Sequence, residues 1–116
     1  MTPGDVHRVD LPPRAGHAQS GRRPAIIMQG AAASSRLPTV LVVPLTTQQD
    51  ALRFPGTVLV EPDSANGLRR PSVALVFQLT VLDTQSVGAR VGCVSKATMD
   101  ALWTAFGAIT ERPGSG

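Results

Sequence analysis

Residues 38–45, Pro38-Thr39-Val40-Leu41-Val42-Val43-Pro44-Leu45, form a nearly continuous apolar run rich in β-branched side chains. Runs of this kind suit strands covered on both faces, as in a small barrel or at a dimer seam. Upstream, residues 24–28 (PAIIM) repeat the pattern. Downstream, residues 72–81 (SVALVFQLTV) give the longest apolar strand, interrupted by a single amide, Gln78. Residues 56–60 and 91–94 read as short strands, and residues 5–11 (DVHRVDL) as an alternating one. Pro62-Asp63-Ser64-Ala65-Asn66-Gly67 carries Asn-Gly turn chemistry, and residues 83–86 read as a turn or a single helical turn. Residues 12–23 are polar, with two prolines and two glycines, so a long mobile loop is expected there. Ser95 is placed to cap the one good helix, in which Met99, Leu102, Trp103, Phe106 and Ile109 form an apolar stripe read as core. The expected architecture is mainly β: a small, mostly antiparallel, strongly bent sheet with one C-terminal helix against it.

Composition narrows the class. The chain has 116 residues, 42% hydrophobic and 16% charged, enough for one core-forming domain, placed at residues 1–110 with a flexible tail at 111–116. Aromatics make up only 3%, so the core must be aliphatic. No apolar run approaches the ~18–20 residues that span a bilayer, and the first residues lack a signal peptide's layout, so a cytoplasmic location without membrane association is expected. Cys93, the single cysteine, excludes an internal disulfide, and with His7 and His17 it is too little for a metal cluster. Net charge is +3, and Lys96 is the only lysine among eleven basic residues. The arginine excess has two readings: a compositional bias, or a set of planar forks for phosphate.

The sequence contains no close carboxylate pair, nucleophile elbow, glycine-rich phosphate loop or spaced metal ligands. What remains is Arg, Thr, Gln and His, a set suited to phosphoryl chemistry. Arginine offsets the charge that grows on a pentavalent phosphorus, while hydroxyls and amides orient its oxygens.

Gly4-Asp5-Val6, Val9-Asp10-Leu11 and Gly16-His17-Ala18-Gln19-Ser20-Gly21-Arg22-Arg23-Pro24 resemble the opening of the MazF/PemK/Kid toxins. Leu37-Pro38-Thr39-Val40, Val43-Pro44-Leu45-Thr46, Gly56-Thr57-Val58 and Ser72-Val73-Ala74-Leu75-Val76-Phe77-Gln78, with Asp83 five residues on, follow in that family's order. The resemblance covers about residues 1–110 and implies a small SH3-like β-barrel of the CcdB/PemK type, working as a homodimer. It also implies a sequence-specific, metal-independent endoribonuclease toxin that uses no cofactor and is held in check by a MazE-like antitoxin. In such enzymes the ribose 2′-hydroxyl of single-stranded RNA attacks the adjacent phosphate, leaving 2′,3′-cyclic phosphate and 5′-hydroxyl ends.

By match, Arg23 and Thr46 are the catalytic candidates, Arg23 stabilising charge and Thr46 binding a phosphate oxygen. Each has a plainer reading: Arg23 as a strand-entry arginine paired with an acid, Thr46 as a turn former. Gln19, Thr47 and Gln78 match groove positions; the plainer reading of Gln78 is an amide satisfied by a cross-strand hydrogen bond. Arg14 and Arg22, with Arg53, Arg69 and Arg70, fall in expected loops and suit either RNA steering or simple solvation. Three departures from the family pattern stand out. Ala18 replaces a common glutamate, leaving His17 as a base or as a solvated loop residue; Thr80 replaces an arginine; and Phe77, core or base-stacking platform, replaces a polar residue. The alternative is a non-enzymatic toxin, a CcdB-like topoisomerase inhibitor or a weakened RNA binder. The CcdB ending Trp-Gly-Ile is absent, since Trp103 lies inside the helix and the chain ends Gly114-Ser115-Gly116.

Overall fold

The computed structural model describes residues 1–13, 16 and 20–111. The central strand is β3 (Thr39–Thr46), grown from the apolar run quoted above and buried from Val42 onward. Around it lie β1 (Asp5–Leu11), β2 (Gly21–Ile27), β4 (Thr57–Val60), β5 (Ser72–Leu75), β6 (Thr80–Asp83) and β7 (Val87–Cys93). All described pairings are antiparallel, in the order β4-β5-β3-β2-β1-β7, with β6 also on β3. The short helix α1 (Ala31–Ser34) joins β2 to β3, and α2 (Lys96–Ile109) closes the fold.

β3 serves two sheets. Its middle pairs with β2, the last rung being Ala25↔Pro44, and its end pairs with β5 at Leu45↔Ala74 and Thr46↔Val73. Proline has no N–H to extend a ladder, so β2 and β3 part at Pro44 and β3 bends into the second sheet. The sheet's two faces hold two aliphatic clusters. Val6, Ile26, Val43, Leu45 and Ala74 pack with Leu102 on one side; Val9, Ala25, Ile27, Val40, Val42 and Leu82 pack on the other.

The expectation of one strand over residues 72–81 is corrected. β5 and β6 flank a 3-10 turn, Val76–Gln78. Three steps along β3, from Val42 to Leu45, are matched by six from Thr80 back to Ala74. The three surplus residues must leave the ladder, and Phe77 and Gln78 leave with them. β7 is also longer than the 91–94 expected, and β2 starts at Gly21 within the stretch read as loop.

A β-barrel is approached but not closed by a ladder among the described residues. The gap between the β4–β5 side and β7 is bridged by residues 61–71, where the Cys93 N–H donates to the Ala65 carbonyl at 2.9 Å. That segment is braced by Asn66, which is 1% exposed. Its Oδ1 accepts from the Asp63 and Leu68 N–H groups, and its Nδ2 donates to the Glu61 carbonyl.

Ser95 caps α2 as expected, its hydroxyl accepting from the Thr98 N–H at 3.1 Å. The stripe is core only in part. Leu102 is fully buried, Met99, Phe106 and Ile109 are partly so, and Trp103 is 51% exposed, edge-on to Phe106. Leu102→Ala should therefore cost about 2–5 kcal/mol, read from urea unfolding, because Leu102 fills the junction of both sheets with α2. No helix among the described residues is long and apolar enough to cross a membrane.

Candidate active site

The last β2–β3 rung is Ala25↔Pro44, and Arg23 and Thr46 each lie two residues beyond it on their own strands. Alternation puts both on the face that carries Ala25 and Val42. Arg23 is half-buried, and its Nε–H donates to the Ser20 carbonyl at 2.9 Å, which fixes the plane of the fork and leaves its terminal N–H groups for another acceptor. Among the described residues no carboxylate pairs with it. The paired arginine is its neighbour Arg22, on the opposite face, which meets its cross-strand partner Asp10 at 3.4 Å. Arg22 lies in a strand, not in the expected loop.

Thr46 is 5% exposed. Its Oγ1 accepts from the Gln48 N–H at 3.2 Å, so its own proton remains available to an acceptor beside it. It forms the floor of a groove whose walls include Gln48, Arg53, Phe54, Phe77 and Gln78. Strand alternation turns Thr47, the next residue, away from this groove and into a second cleft.

Sequence reasoning missed Gln48 and Phe54 and placed Arg53 in a loop. All three arrive through a 3-10 turn, Gln49–Arg53, which has no hydrophobic period to announce it. The Arg53 guanidinium lies 4.6 Å from the centroid of the Phe54 ring and pairs with Asp50 at 3.0 Å. The Phe54 and Phe77 rings are 5.5 Å apart and tilted by 57°. Phe77, 38% exposed, is not the core residue its apolar neighbours suggested. Gln78 is half-buried at the same turn rather than inside a strand. His17, Gln19 and Arg14 lie outside the described residues. Among the described residues no cluster of His, Cys, Asp or Glu is arranged to hold a metal ion.

A guanidinium without an acidic partner among the described residues, on the same strand face as a buried hydroxyl that floors an aromatic- and amide-lined groove, suits a phosphodiester joined to a flat base. Residues 2–110 match the family described as PemK-like, MazF-like toxin of type II toxin-antitoxin system. The chain belongs to that family. Relatives of this PemK/MazF-family chain include the endoribonuclease EndoA of Bacillus subtilis (strain 168), 30% identical over 84% of this chain and 83% of its own length. The endoribonuclease MazF of Staphylococcus saprophyticus is 32% identical over 85% and 82% respectively. Among solved structures, an endoribonuclease in complex with its cognate antitoxin from a mycobacterial species is 26% identical, with a TM-score of 0.73 over 93% of this chain and 92% of that one. A Deinococcus radiodurans MazF, 23% identical, shares the fold at a TM-score of 0.78 over 93% and 94% of the two chains.

Proposed function

We propose that this toxin is a sequence-specific endoribonuclease that cuts single-stranded RNA without a metal, through Arg23 and Thr46. The observation that carries the reading is that Arg23, unlike its neighbour Arg22, pairs with no carboxylate among the described residues, while strand alternation places it on the face of the buried Thr46. The ribose 2′-oxygen attacks phosphorus, the bond to the 5′-oxygen breaks, and the departing oxygen takes a proton from the Arg23 guanidinium, which water restores, to leave as a 5′-hydroxyl. Charge grows on the non-bridging oxygens, which the Arg23 fork contacts bidentately while the Thr46 O–H donates to one of them. A guanidinium stays protonated at neutral pH, so Arg23 stabilises charge rather than acting as a base. His17, from residues 12–20, is assigned to receive the 2′-hydroxyl proton, and Gln19, Thr47, Arg14 and Arg22 to contact the RNA.

The flat walls of the groove address sequence preference. Phe77 and Phe54 offer ring faces for a base, and Gln78, Gln48 and Arg53 offer amide and guanidinium edges to read it. Phe54→Ala or Phe77→Ala should each lower kcat/KM about 5- to 150-fold and relax the preferred sequence, since stacking on an aromatic ring contributes roughly 1–3 kcal/mol per base. The enzyme is assigned to the cytoplasm as a homodimer, with a cognate antitoxin covering the groove. Exposed Trp103 and Leu59 are apolar surface that a second copy would cover.

Incubating the protein with mixed single-stranded RNA in EDTA and mapping the new 5′ ends tests the proposal. Expected are 5′-hydroxyl ends clustered at one short sequence, with cyclic phosphate on the upstream fragments. No cutting of any RNA, or growth arrest rescued by a gyrase mutation without RNA fragments, overturns it.

A further inference from the structure

A second cleft lies behind the end of β3, on the opposite side from the groove. Its floor is Pro24, Leu68 and Val91, and its rim carries Arg8 from β1 and Arg69 and Arg70 from the 61–71 segment. None of these three guanidinium groups meets a carboxylate among the described residues, where every ion pair uses a different cation: Arg22, Arg53, Arg90 or Lys96. Three like charges gathered without counter-charge repel one another, a cost that an anionic partner removes. The rim is also rigid. Asn66 locks the start of the segment, the Ser72 hydroxyl donates to the Arg70 carbonyl at 3.0 Å, and Gln49 Nε2 donates to the Pro71 carbonyl at 2.8 Å and the Thr47 carbonyl at 3.3 Å. The same Gln49 side chain thus ties the arginine-bearing segment to the strand end that carries Thr46.

We infer that this cleft holds the phosphodiester backbone of the substrate RNA on one side of the cleaved bond. The inference rests on the proposed function. Thr46 opens into the groove and Thr47 into the cleft, so a strand leaving the groove crosses one residue of backbone to reach the second site. Charge sets the chemistry of the occupant. The lining offers guanidinium forks and the hydroxyl of Thr47, all donors to phosphate oxygens, over an apolar floor without aromatic rings. It should therefore bind backbone without reading sequence.

The test compares the wild type with the triple variant R8A/R69A/R70A on two RNAs that share the mapped cleavage site. One carries only a few nucleotides; the other extends by about fifteen on each side. Affinity is measured by fluorescence anisotropy between 50 and 250 mM KCl, with a 2′-deoxy nucleotide at the cleaved position to block attack. On the long RNA the triple variant should bind roughly tenfold more weakly at low salt, and its log–log salt slope should be shallower by about two, the value for three lost phosphate contacts on a single strand. Cleavage of the short RNA and the melting temperature should be unchanged. Equal slopes and affinities for both proteins on the long RNA overturn the inference while leaving the nuclease intact. A variant that loses only its binding to an acidic antitoxin peptide overturns it as well. Failure of the wild type to cut either RNA is instead a failure of the proposed function.

Discussion

Arg23→Ala is expected to lower kcat/KM for RNA cleavage by about a thousandfold, close to 4 kcal/mol of lost transition-state stabilisation. The reason lies in the geometry around residue 23. The Nε–H is held by the Ser20 carbonyl, which leaves the terminal N–H groups for another acceptor, and no acid among the described residues competes for them. Arg23→Lys should recover little of the loss, because an ammonium keeps the charge but not the two-point fork or the bond to Ser20. Thr46→Val, which preserves shape at a site only 5% exposed, should cost roughly a hundredfold by removing one donor. Single-turnover cleavage of a fluorescent oligonucleotide, with thermal melting as control, measures all three. An Arg23→Ala protein that cuts within tenfold of the wild type would remove this residue from the chemistry.

The second large effect concerns folding. Gly67→Ala and Gly92→Ala should each destabilise the protein by about 3–5 kcal/mol, lowering the melting temperature by roughly 12–20 °C. Gly67 sits at φ +71°, where a side chain is strained, and a Cβ there would overlap the carbonyl of Val91. A Cβ on Gly92 would strike the backbone of Ala65 and Asn66. In both cases the obstacle is main chain, not the end of a flexible side chain, so β7 and residues 61–71 must move apart. The Cys93–Ala65 hydrogen bond, which joins β7 to this segment, is then lost. Gly107→Ala, on α2 with open space around it, is the matched control and should be neutral or stabilising. Differential scanning calorimetry separates the cases; a Gly92→Ala protein that melts with the wild type would show that the bridge is dispensable.

The strands were legible where burial is local. β-branched runs around 24–28 and 38–45, the mixed alternation of 5–11 and the Ser95 cap are short-range signals, and the structure follows them closely. Residues 72–81 were misread because hydrophobicity does not distinguish one buried strand from two separated by a three-residue step. That step appears only when both ladders to β3 are counted. Trp103 was misread for a related reason: helical spacing fixes a stripe, but not how far around the helix its neighbours reach. At the candidate site, Arg23 and Thr46 rest on their match to family motifs rather than on any periodicity.

By itself the sequence determined an aliphatic, mainly β domain with a capped C-terminal helix, and it supplied arginine, threonine and glutamine in place of metal ligands or carboxylate pairs. These are matters of composition and of patterns a few residues long, set by side-chain burial and backbone preference. Only the tertiary structure decided that Phe54 and Phe77 pack together, that Arg22 rather than Arg23 pairs with Asp10, and that Arg8 shares a cleft with Arg69 and Arg70. Each of those depends on strand register and on where a surplus of residues is expelled. Register is fixed by pairing between distant segments, which no local pattern encodes.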